Sequence, residues 1–302
     1  MQKIKKCQKI AETGAIILCL TAFFSCASVP SENPAEFAES DYIPENPEWM
    51  AVNECEAVKV FSFENPALPI RYTAVKINLA AKNLELAVYP NSDTNFCAEK
   101  NYTHRGIHIQ KFQKRTQALI AVNTSPYSSP RFPFSSHRRI LGVFKADGIL
   151  FSAPVQRYAA LIFSRDENRE LVAKCTAHQS PQDAENDFAV GGFFMILKDG
   201  ELFDSTGKNF SYTSRSARTA AGISESGQTL FLLATERSAK STGLTYPECA
   251  KLLRSLGAKN ALEFDGGGST AMMIGGKNAL ESQSRRKNAS YIGFLFSIKG
   301  TF

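Results

Sequence analysis

Between residues 261 and 273 the chain reads ALEFDGGGSTAMM, and this stretch holds the residue types best suited to chemistry. Three consecutive glycines, Gly266, Gly267 and Gly268, lose much backbone entropy on folding and bring no side chain to pack. Such a run is expected where the backbone must approach a ligand closely. Successive exposed amides there can form a nest for an anion. Ser269 and Thr270 add hydroxyl donors, and Asp265 sets a carboxylate beside the nest. That pairing suits work on a phosphate-bearing glycoside. Other readings of the run fail on detail. No lysine follows the glycines, as a Walker phosphate loop requires. The second glycine of a GxSxG nucleophile elbow is missing, and so is a GxGxxG dinucleotide fingerprint. A glycine-rich turn capped by an aspartate stands as the plain alternative.

Other groups add less. Glu263 lies two positions before Asp265 and so shares its strand face; a cross-strand salt bridge is its favoured role. Carboxylate and hydroxyl oxygens near Asp265 would suit calcium or magnesium, but no ligand set is readable. Zinc is not expected: there is no CxxC, and of four histidines only His104 and His108 are closely spaced. Those two are taken as structural.

The elements that must position the turn are mostly strands. Tyr72 to Leu79 and Leu84 to Tyr89 alternate apolar and polar residues. Gln117 to Asn123 is a short apolar run that reads as a buried strand. Asp147–Gly148, Asp199–Gly200 and Ser226–Gly227 supply the positive φ of tight hairpin turns, and Gly275–Gly276 marks another. Thr245 to Glu248 forms a T-x-x-E capping box with Pro247 in the first turn, and Gly257 stops that helix. Asn260 to Phe264 then leads as a strand into the glycines, and Tyr291 to Ile298 closes the chain. The expectation is one α+β domain over residues 57–302: a mainly antiparallel or mixed sheet with a few packed helices.

The N-terminus reads as an address. Lys3, Lys5, Lys6 and Lys9 precede an apolar run from Ala15 to Phe24. The run is shorter than the roughly 20 residues a membrane span needs and has the proportions of an export signal. Cys26 follows, resembling a lipoprotein signal in which that cysteine becomes the lipidated first residue. The expectation is a signal over 1–25, with the domain outside the cytoplasm in a bacterial envelope, tethered through palmitate-type acylation. Residues 26–56 carry four prolines, eight acids and no Lys or Arg, the composition of a solvated spacer. Trp49 and Met50 are its candidate docking point. The chain's net charge of +6 is therefore concentrated after residue 56, which suits an anionic ligand. The basic residues are scattered, so no nucleic-acid partner is expected. Cys55, Cys97, Cys175 and Cys249 permit two disulfides in three connectivities.

The order of helix, LGA, NALEF and DGGGST resembles the phosphodiester glycosidase family. Gly191–Gly192 followed by Asp199–Gly200 is similar to that family's GG…DG hairpin, and Arg218 to Gly222 (RTAAG) to its RTAxG strand. Ala121-Val122-Asn123 is similar to the start of its NGGYF segment, here NTSPY. Where the family has an Asp-Gly pair before the helix, this chain has Thr235-Glu236-Arg237. The resemblance spans residues 117–298 and implies hydrolysis of a sugar C1–O–phosphate bond in an envelope glycan or glycolipid. It implies Asp265 as a catalytic carboxylate with Glu236 as its partner, placed one residue late. Gly266 to Thr270, Gly192 and Arg237 would bind substrate, and Arg218 would clamp the phosphate. Asn123 would bind a sugar hydroxyl or orient a carboxylate. The alternative is an envelope lipoprotein that binds phosphorylated glycans and has lost catalysis.

Overall fold

Strands form where the alternation is strongest, and their two apolar faces find different partners. The computed structural model describes residues 37–96, 103–129, 136–204 and 212–296. The signal, Cys26 and Cys97 lie outside the described residues. An eight-stranded antiparallel sheet is the frame. Its central strands run Cys55–Asn65, Ile70–Asn78, Thr229–Thr235, Arg218–Ile223, Asn260–Glu263 and Phe194–Lys198. Val75 and Ile77 face one core with Leu230, Leu232 and Leu262; Tyr72 and Ala74 face the other with Leu233 and Ala261. That division follows from the two-residue period of a strand.

The first face is closed by two further antiparallel sheets of five strands each. One is centred on Ile120–Asn123 and Tyr291–Phe296, the other on Phe188–Gly191 and Ala160–Arg165. The second face is closed by the helix Tyr246–Ser255, through Cys249, Ala250, Leu252 and Leu253, and by Tyr42. Thr245 caps that helix as expected: its hydroxyl accepts from Glu248 N at 3.2 Å, and the Glu248 carboxylate accepts from Thr245 N at 2.8 Å.

The α+β expectation is overturned. The described chain is mostly β, with two α-helices of 8 and 10 residues and only antiparallel pairing among the described strands. The physical reason is that sheets, not a layer of helices, cover one whole face of the frame. The shorter helix, Ile109–Thr116, buries only Ile109 and Phe112, too brief an apolar pattern to mark it as a helix. The hairpin turns stand where the glycines put them. Asp147 and Gly148 take φ of 52° and 74°, and Asp199 and Gly200 take 52° and 86°.

Residues 37–56 pack on the domain. Tyr42 is buried and its carbonyl accepts from Tyr72 Oη at 2.7 Å. Trp49 meets Phe61 edge-on at 4.7 Å, whereas Met50 is exposed. Met50–Val52 pairs with Cys55–Asn65, so the strand begins before residue 57. Among the described residues, Cys55, Cys175 and Cys249 form no disulfide.

Candidate active site

The strand Asn260–Glu263 ends at a junction of two sheets. Phe264 N donates to Thr219 O at 2.8 Å, and Asp265 N donates to Thr124 O at 2.8 Å. Asn123 completes the joint. Its Nδ2 donates to Asp265 O at 2.6 Å, while its Oδ1 accepts from Thr219 Oγ1 and Ala271 N, both at 2.9 Å. Both ends of the amide are engaged by protein, so Asn123 holds the Asp265 main chain rather than meeting a sugar.

After this joint the chain makes a single 3-10 turn, Gly267–Ser269. Gly267 has φ of 56°, a left-handed conformation that side chains disfavour. Its amide points inward and donates to Ala217 O at 2.7 Å. Among the described residues no partner takes the amides of Gly266 or Gly268. The expected nest of three amides is therefore reduced to two. The Thr270 hydroxyl is buried without a hydrogen-bond partner among the described residues.

Asp265 is half-buried beside this turn. Burial pushes its carboxyl up to about 7, against the downward pull of the Ser269 hydroxyl and the Arg286 charge. Glu263 lies behind it and is 1% exposed. Burial pushes Glu263 up to about 8; Arg218 opposes this and Asp265 adds to it. Arg218 Nε is 4.0 Å from Glu263 Oε1, the expected cross-strand pairing at long range. Among the described residues neither Glu263 oxygen has a well-formed hydrogen-bond partner. Gly266 lies over this carboxyl, since a Cβ there would sit 3.4 Å from Oε1.

Other expected site residues prove structural. Arg218 is buried, donates to Leu244 O at 3.0 Å and Ser214 O at 2.7 Å, and stacks 3.8 Å from the Tyr246 ring. It braces the wall behind the turn instead of clamping a phosphate. Glu236 does leave the strand, which ends at Thr235. Its carboxylate is nevertheless buried, accepting from Ser238 Oγ and Ser282 N, both at 2.8 Å. Two good donors already occupy it, so it is a buttress, not a partner for Asp265. Gly192 is a packing residue: a Cβ there would lie 2.7 Å from Glu263 O. His104 is buried, with Nε2 2.7 Å from Ala289 O. Among the described residues no cluster of His, Cys, Asp and Glu could hold a metal ion.

A hollow of about 450 Å³ opens over Gly267, Gly268 and Thr270. Arg237 lines it. Arg285 and Arg286 line it too, and sequence reasoning missed both. The signal was present as SQSRRK, residues 282–287, a basic run forty-odd residues from Arg237 in sequence. Arg286 lies so close that a Cβ on Gly268 would fall 2.6 Å from its Cζ. The glycine is thus needed for the guanidinium to cover the turn.

A family model described as Phosphodiester glycosidase matches residues 116–295, more than half of the chain. The chain belongs to the phosphodiester glycosidase family. The match takes in NTSPY, RTAAG and DGGGST. No curated protein matches the chain in sequence. Among solved structures, a hypothetical protein from Synechocystis superposes with a TM-score of 0.60 at 16% identity, over 84% of this chain and 64% of that one. The chain thus spans less than two thirds of that protein. The zebrafish N-acetylglucosamine-1-phosphodiester alpha-N-acetylglucosaminidase catalytic domain, auto-inhibited by its pro-peptide, gives a TM-score of 0.56 at 20% identity. That superposition covers 82% of this chain and 87% of the zebrafish one. At such identities the likeness is one of fold.

Proposed function

We propose that this chain is an exported, lipid-anchored hydrolase that cleaves the C1–O bond of a sugar-1-phosphodiester in the cell envelope. The observation that carries the reading is the half-buried Asp265 carboxyl, held near neutrality beside an arginine-lined glycine turn. Arg286 and the amides of Gly266 and Gly268 would take the phosphate oxygens, as charge-assisted donors do. Asp265 would accept a proton from water as the water oxygen bonds to C1. The C1–O electron pair leaves with the phosphate. A phosphate leaving group is already a stable anion and needs little protonation, so positive donors matter more than a second acid. This fits a site where Glu236 and Glu263 are both buried and Asp265 is only partly so.

The test is release of reducing sugar from a synthetic glycosyl phosphodiester in the presence of wild type and Asp265→Asn. Turnover in the wild type that disappears in the variant supports the reading. Binding of the phosphodiester with no turnover in either protein would favour a glycan-binding lipoprotein instead. Anchoring is tested apart: Cys26→Ser should release the protein from membranes, and continued retention would remove the lipid from the proposal.

A further inference from the structure

The hollow holds more positive charge than one phosphodiester can answer. Arg237, Arg285 and Arg286 all line it. Among the described residues none of the three has an ion-pair partner. Neighbouring acids are engaged elsewhere: Glu281 pairs with Arg71 at 2.7 Å and Lys240 at 3.3 Å, and Glu236 is held by Ser238 and Ser282. Asp265 feels Arg286 and answers one charge at most. A phosphodiester group, with a single negative charge, answers a second. One guanidinium is left over.

The three arginines also sit on pinned backbone. Ser284 Oγ donates to Gly268 O at 2.7 Å, Ser284 N to Thr270 O at 3.0 Å, and Arg286 N to Ser284 Oγ at 3.0 Å. These bonds stitch the segment carrying Arg285 and Arg286 onto the glycine turn. Glu236 ties the same segment, through Ser282 N, to the turn that carries Arg237. Its buried carboxylate is therefore a positioning group that ties the backbone at Arg237 to the segment carrying the other two. The three side chains are exposed, but the backbone that carries them is ordered before any ligand arrives, and that part of the cost of binding is reduced. Guanidinium groups match phosphate oxygens in geometry as well as charge.

We propose that the hollow recognises a second anionic phosphate next to the scissile one, so that the substrate is a sugar linked through C1 to a diphosphate or to a chain of phosphodiesters. The inference rests on the glycosidase reading of this hollow and narrows its substrate. The hollow's volume suits such a group, since small-molecule sites run from roughly 300 to 1,000 Å³.

The test titrates the full chain calorimetrically with inorganic pyrophosphate and with dimethyl phosphate at equal ionic strength. Wild type should bind pyrophosphate at least about tenfold more tightly, because two close phosphates engage more of the arginines. The ratio should fall towards one in Arg237→Gln/Arg285→Gln, with the fold checked by circular dichroism. Equal affinities in the wild type, or a ratio that survives the double substitution, overturn the proposal. A second arm compares KM for three glycosyl phosphates, bearing a neutral alkyl group, a second phosphate in a diphosphate linkage, or a glycerol phosphate unit. A lower KM for either of the last two supports the inference and says which source of charge fits. Equal KM for all three overturns it. No turnover with any, while the pyrophosphate preference stands, removes the hydrolase reading and leaves the two-phosphate site intact.

Discussion

Two carboxylates sit at strand ends with an arginine close by, and the protein treats them in opposite ways. Glu236 follows the strand Thr229–Thr235 and is answered on both oxygens, by a serine hydroxyl and a main-chain amide. Asp265 follows the strand Asn260–Glu263, is half-buried, and has one side-chain donor, Ser269. The difference lies in saturation. A carboxylate with satisfied lone pairs is a structural acceptor whose removal strands its donors. One left under-satisfied and partly exposed beside the glycine turn is free to take a proton. Charge and position along the sequence do not separate the two; hydrogen-bond occupancy does.

The sharpest way to break this contrast is kinetic. Asp265→Asn should lower turnover by about a thousandfold, within the range of a lost general base, while the melting curve stays cooperative. Glu236→Gln should leave kcat within about tenfold and raise KM, because the amide keeps one acceptor and perturbs Arg237 rather than the chemistry. If kcat instead fell as far as in the Asp265 variant, the two carboxylates would share one role and the comparison would fail.

Gly268→Ala sharpens the account of the turn. The new methyl would overlap the Arg286 guanidinium, built at 2.6 Å from its Cζ, so the arginine must withdraw. Phosphodiester affinity should weaken by about tenfold, the scale of one charge-assisted contact. Unchanged affinity by calorimetry would detach Arg286 from the ligand.

Two pH effects are smaller. As Asp265 must be ionised to accept a proton, kcat/KM should rise with pH through about 7. A profile flat between pH 5 and pH 9 would contradict that assignment. Glu263 acts on stability instead. Its carboxyl is raised from 4.5 to about 8, so the folded state binds more protons than the unfolded state in that window. Its contribution is full below the ordinary value and is lost as pH rises to about 8. Glu263→Gln should flatten the fall of the melting temperature between pH 5 and pH 8; an identical slope in both proteins would refute it.

Much of the frame is readable in the chain because it depends on local pattern. Leu84 to Tyr89 alternates and is a strand with those bounds, and Thr245 to Glu248 caps a helix as its spacing requires. The Asp-Gly pairs mark hairpins because few other residues take positive φ cheaply. The mistake over fold class has the same origin. Alternation tells which residues share a face, but not whether a helix or another sheet covers that face. Residues 37–56 show the limit from the other side: their composition resembles a spacer, yet Tyr42 and Trp49 find aromatic partners on the frame.

In the site, DGGGST and its aspartate stood out from sequence alone as the candidate for chemistry, with a glycine-rich turn capped by an aspartate as the plain alternative. Tertiary structure decided everything about who stands around them. Asn123 and Arg218 turned out to be braces, and Glu236 a buttress, because donors and acceptors distant in the chain reached them first. Arg285 and Arg286 entered the site because the Ser284 hydrogen bonds fold their segment back over Gly268. Residue types and short spacings are written along one dimension, whereas hydrogen-bond occupancy and charge convergence depend on which strands end side by side.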